Sequence, residues 1–193
     1  MASGIFRFNI GAMMRSGACC PTASSIDDSL RASATSTVCP SSVNSIKSLS
    51  VEQLDFLLDD KANTIGALAF HLAATDAFYH EHTFKNIEWG KWDQSVNEKF
   101  GAAMELGDEG RKKIKGNNAQ FYIDLLQQTR ESTLAEFKKR DDKWLMTVDE
   151  KWYWGPTNNY CKWFHVTEHE SHHLGQMNLL KSRLPGAKAA NNG

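Results

Sequence analysis

The stretch FHVTEHESHHLGQM, residues 164–177, holds four of the chain's seven histidines. Inside it, His169-Glu170-Ser171-His172-His173 spells H-E-x-x-H. In metalloproteases that pattern offers two imidazoles to zinc and a glutamate to the attacking water. Each helical residue advances about 100° around the axis. His169 and His173 therefore stand one turn apart on one face, where they can reach a single ion. By the same arithmetic His173 falls within the apolar stripe of Val166, Met177, Leu180 and Leu184, while His165 and His172 flank it. One histidine on an apolar face is ordinarily a hydrogen-bonded core residue. Two on one stripe need a partner for every ring nitrogen or a shared cation.

Two imidazoles hold a divalent ion poorly, so a third ligand is required. Zinc proteases of this type take it downstream, and here the sixth residue after His173 is Leu179. Gly175 follows His173 by two residues, out of register for the extended motif, and no Asp or Glu follows Glu170. The ligand count disfavours a protease. Upstream, His71 lies in GALAFHLAATDAFY beside Leu68, Leu72 and Thr75. An antiparallel packing of the two helices would bring it to His169 and His173. His82 shares nearly the same face but sits about 16 Å along the axis, and His80 is expected to point to solvent. Asp76 and Glu81 are either outer partners that fix an imidazole tautomer or surface charges. Glu168 and Glu170 flank His169 as possible general bases, though a surface salt-bridging role is the more ordinary one for each.

These residues need helices to carry them. Between Pro40 and Pro156 the chain has no proline, which favours long helices. Ser50 and Gln53 form a capping box that opens a short helical piece, VEQLDFLLDD. A long helix is expected from Asn63 to about Phe84, a shorter one around Val96–Leu106, and another long one after Gly116-Asn117. The last helix is expected to start at Thr157 or Asn158 and end at Leu184, before Pro185-Gly186. KNIEWGKWD and the tryptophan-rich DDKWLMTVDEKWYWGPTNNY read as connections. Tryptophans 89, 92, 152 and 154 would either rim a pocket mouth or pack the bundle ends. Three long helices bury their stripes poorly without a fourth, and that partner has to come from upstream of Ser50.

The whole is an ordinary globular composition, with a formal net charge of −1 and 41% hydrophobic residues. It carries no basic footprint for nucleic acid, RKKIKG is a short run expected to face solvent, and no apolar run approaches the length of a membrane span. Without a C-x-x-C pair, the four cysteines are expected to be reduced thiols. Residues 1–45 are rich in Ser, Ala and Thr. They read as a leader or targeting segment, an atypical first helix, or both. Residues 46–186 form the expected helical domain and 187–193 a loose tail.

A single histidine in GALAFHLAATDAFY, a long spacer, and then HESHHLGQMNLLKSRLPG resembles the DinB-like superfamily, from about Ser50 to Gly186. The resemblance implies an all-α, up-and-down four-helix bundle with a divalent transition metal, commonly zinc or nickel, on His71, His169 and His173. Members typically read H-x-x-x-H-R-G-Q. Gly175 and Gln176 match here, and Leu174 stands at the arginine position. The family includes thiol-dependent transferases. The resulting expectation is a metal-dependent hydrolase or thiol transferase acting on a small molecule, cytoplasmic, possibly homodimeric, without nucleic-acid or membrane partners. The alternatives are a non-catalytic metal-binding bundle with a stress- or damage-linked role, and an interaction module without metal.

Overall fold

The computed structural model describes residues 40–187; residues 1–39, where a leader is one of the expectations, and 188–193 of the expected tail lie outside the described residues. Eight helices occur among the described residues: α1 (Pro40–Ile46), α2 (Val51–Leu54), α3 (Ile65–Lys85), α4 (Gln94–Glu105), α5 (Gly107–Lys113), α6 (Ala119–Phe137), α7 (Asp142–Leu145) and α8 (Asn159–Ser182). A two-residue antiparallel ladder pairs β1 (Val148–Asp149) with β2 (Thr157–Asn158). The fold is all-α, as expected, with α1, α3, α6 and α8 as the bundle helices.

Helix α3 is the axis of the molecule, packed against α4, α6 and α8. Its buried residues lie on every side and include Gly66, Ala67, Ala69, Ala73 and Ala74. A helix apolar all round belongs in an interior, and the small side chains let three neighbours approach closely. Gly66 is the tightest point: a β-carbon there would lie 2.6 Å from the Tyr122 hydroxyl of α6. The helix starts are set by caps. Thr64, Asn118 and Asn158 each accept a backbone N–H from the first turn of α3, α6 and α8. The capping box at Ser50 and Gln53 is present, but α2 stops at Leu54 instead of continuing through the expected ten residues.

The fourth bundle helix is α1. It lies upstream of Ser50, where the burial argument requires it, and packs on α8. Its buried face is Ser42, Ser45 and Ile46. Ser42 donates to Glu170 at 2.9 Å and Ser45 to Asn178 at 2.8 Å. Its apolar core contacts, Val43 and Ile46, are too few to read as a stripe from sequence.

At one end, Tyr79, Phe84, Phe137, Trp152 and Trp163 make a second core with Trp89, Trp144 and Trp154 packed against it. Trp92 joins the main core instead. Trp163 donates from its indole to Thr83 at 3.1 Å, while Trp144 stacks on Phe84. Cys161, 3% exposed, is disulfide-bonded, a correction to the expectation of reduced thiols. No helix among the described residues is long and apolar enough to cross a membrane.

Candidate metal centre

Helices α3 and α8 bring His71, His169 and His173 together, with one ligand nitrogen from each inside a 4.8 Å group. His169 Nε2 lies 3.2 Å from His71 Nε2 and 3.1 Å from His173 Nε2. Zinc–imidazole bonds of about 2.05 Å in a tetrahedron would separate two nitrogens by about 3.3 Å. The spacing fits a shared ion.

Tautomers sharpen the point. His71 Nδ1 donates to the Ala103 carbonyl at 2.9 Å, one of the last-turn carbonyls of α4 that have no partner within their own helix. His173 Nδ1 donates to Gln176 Oε1 at 2.8 Å, and the Gln176 amide donates in turn to His172 at 3.0 Å. Both rings therefore turn a bare Nε2 lone pair toward His169. A proton on His169 Nε2 could satisfy only one of them well and would leave His169 Nδ1, buried without a partner, bare as well. A proton on Nδ1 leaves three lone pairs facing one another. A cation answers all three.

Burial, then the neighbouring imidazoles, pushes His169 down to about 2 and His173 down to about 4. His71 is lowered by burial against the opposing bond to Ala103. All three are neutral at pH 7, the form that ligates metal. The donor set of three neutral imidazoles suits a divalent transition metal.

Beside His169 lies a buried ionic network that the sequence did not reveal. Arg130 of α6 donates to Asp76 of α3 at 2.7 Å and to Glu170 of α8 at 3.0 Å. Thr133 also donates to Asp76, and Ser42 of α1 closes the set on Glu170. All four bundle helices contribute. Two carboxylates against one guanidinium leave a net negative charge next to the imidazoles, which favours a cation there. Asp76 and Glu170 are 3% and 6% exposed, a correction to their expected place among surface charges. Both Glu170 oxygens are engaged, so it is not available as a base. Glu168 is exposed and pairs with His165 at 3.3 Å. Glu81, with 13% of its side chain exposed, pairs with the more open Lys85 at 2.6 Å.

The other histidines are elsewhere. His82 is bonded to Ile87 and Asp149, away from the ligand group as expected. His80 is packed edge-on to Phe84 with 16% of its side chain exposed, so it is more enclosed than the sequence suggested. Leu174, where the arginine of the family pattern would stand, packs against the main core.

A family model described as the DinB superfamily matches residues 42–177. A crystal structure of a conserved protein from Enterococcus faecalis shares the fold with a TM-score of 0.58 at 15% identity, covering 80% of this chain and 92% of that one. No curated protein matches the chain. With most of its length matched and a histidine group of the right composition at its centre, the chain belongs to the DinB superfamily.

Proposed function

We propose that His71, His169 and His173 bind one divalent transition ion, zinc or nickel, and that the protein is a metal-dependent enzyme acting on a small molecule as a hydrolase or thiol transferase. The supporting observation is the convergence of three Nε2 atoms, two with their tautomers fixed by Ala103 and Gln176. Three protein ligands leave a coordination position open, as in catalytic rather than structural sites. When bound, the ion would lower the pKa of a water or thiol in that position. The chain's own part is to hold the imidazoles neutral and oriented and to place the negative Asp76–Arg130–Glu170 network beside them.

Elemental analysis of purified protein tests the ligand set. Wild type should carry about one equivalent of metal, and His71→Ala should lose most of it. Metal retained by the variant removes His71 from the site. Enzymatic use is tested separately on cobalt-substituted protein: a small thiol entering the open position shifts the visible spectrum. One observation favours a non-catalytic ion that staples α3 to α8. The cavity between His169 and Arg130 measures about 10 Å³, room for barely one water. An unchanged cobalt spectrum would select that second reading.

A further inference from the structure

At the aromatic end of the bundle a cavity of about 540 Å³ opens between α3, the β1–β2 connection and α8. Its size falls in the range of small-molecule sites. Trp89, Trp152 and Tyr153 form apolar walls, and Lys162, only 1% exposed, reaches it from α8. A lysine so enclosed requires compensation. Its Nζ lies 2.8 Å from Asp149 Oδ2, 2.8 Å from His82 Nε2 and 4.3 Å above the Trp152 ring.

The triangle closes with 3.1 Å between His82 Nε2 and Asp149 Oδ2. His82 Nδ1 donates to the Ile87 carbonyl at 2.8 Å, so its Nε2 alone is left to exchange a proton. Two arrangements fit the same atoms. In one, the Lys162 ammonium donates to both partners. In the other, the proton has moved to His82, whose imidazolium donates to Asp149, and Lys162 is a neutral amine with a lone pair. Burial lowers the lysine pKa against the opposing pull of Asp149, which favours the second arrangement. It also lowers His82, which favours the first. The ammonium arrangement is the resting one, since an amine is ordinarily far more basic than an imidazole, and the second is reached by moving one proton within the triangle, with Asp149 in contact with both groups.

We propose that this cavity is a second site, in which Lys162 captures a small aldehyde or ketone with an aromatic or apolar body as a Schiff base. The Nζ lone pair attacks the carbonyl carbon, and the C=O π pair moves to oxygen, which takes a proton from the His82 imidazolium. The nitrogen gives a proton back to His82. The carbinolamine then loses its hydroxyl as water, with His82 supplying the proton, and the C=N bond forms. Amine plus carbonyl gives imine plus water, without oxidant or reductant. Asp149 holds the imidazole and balances its charge throughout.

Benzaldehyde with sodium cyanoborohydride at neutral pH, followed by peptide mass spectrometry, tests the site in the intact protein. Lys162 should be alkylated about tenfold faster than a lysine on the open surface away from this cavity, such as Lys113, because burial lowers the Lys162 pKa and frees more of its amine. An unmodified Lys162 in protein whose exposed lysines react would overturn the proposal and leave the triangle as a structural staple. His82→Gln should slow Lys162 about tenfold while leaving Lys113 unchanged. An equal rate at Lys162 in that variant would overturn the proton relay. The wild-type comparison stands whether or not the variant folds.

Discussion

The two polar clusters that α3 and α8 share differ in one physical respect. In the middle of the bundle, three imidazoles present groups of the same kind to each other, and no placement of protons satisfies them. At the aromatic end, Lys162, His82 and Asp149 are unlike groups that complete one another. The first cluster calls for an added cation. The second is complete without an added ion, and the proton it exchanges among its own members is what frees the Lys162 amine to react. A buried polar group thus points to a missing partner when its neighbours cannot answer it, and to structure or acid–base chemistry when they can.

The Asp76–Arg130–Glu170 network offers the severest way to break that contrast. Arg130→Met leaves Asp76 and Glu170, both almost fully buried, with only Thr133 and Ser42 for partners. Removing one member of such a buried set typically costs about 3–5 kcal/mol. Lys162→Met should cost less, about 1–2 kcal/mol, because the Asp149 side chain retains 29% exposure and water can replace the ammonium. Urea unfolding of the two variants checks the order. Equal losses would mean that the Arg130 network beside the imidazoles and the Lys162 triangle depend comparably on their cations.

Acid should weaken the metal-free protein next. His173 drops to about 4 and His169 to about 2 in the fold, against an ordinary 6.5. Between those values the unfolded chain binds more protons than the folded one, so stability is full above about pH 6.5 and falls as pH drops toward 4. A loss on the order of 4 kcal/mol between pH 7 and pH 5, about half from each ring, is expected, read from thermal melts of chelated protein. Restoring the metal should hold the curve flat to lower pH, since protons must then displace it. A melt insensitive to pH over that range would contradict the burial assigned to these imidazoles.

Much of this was legible in the sequence, for reasons that also mark its limits. His169 and His173 reveal themselves because a four-residue spacing is a fixed geometry, and α3, α6 and α8 because their long segments lack breakers and carry caps at Thr64, Asn118 and Asn158. Arg130 could not be read this way. Its partners lie 54 and 40 residues away, and nothing local distinguishes a buried Asp76 or Glu170 from a solvated one. Lys162 looks like any lysine on an amphipathic helix until Asp149 and the tryptophans close over it. Helix α1 conceals its packing because its apolar core contacts are few, Val43 and Ile46, while its serines meet Glu170 and Asn178 through hydrogen bonds.

The smallest effect, and the finest probe of the central cluster, is at Gln176. Its amide oxygen fixes the His173 proton on Nδ1 and so keeps Nε2 free, while its amide nitrogen is held by His172. Gln176→Leu removes that orientation without touching a ligand. Loss of such an outer partner typically weakens metal binding about 10–100-fold, far less than loss of a ligand. Competition with a chromophoric chelator measures the difference directly. If the variant binds as tightly as wild type, the His173 tautomer is set by the metal itself, and the preorganisation attributed to the bundle is unnecessary at that ring. A 10–100-fold loss would instead show that the fold commits two of the three imidazoles before any ion arrives, leaving His169, unpartnered at Nδ1, as the ring free to adjust.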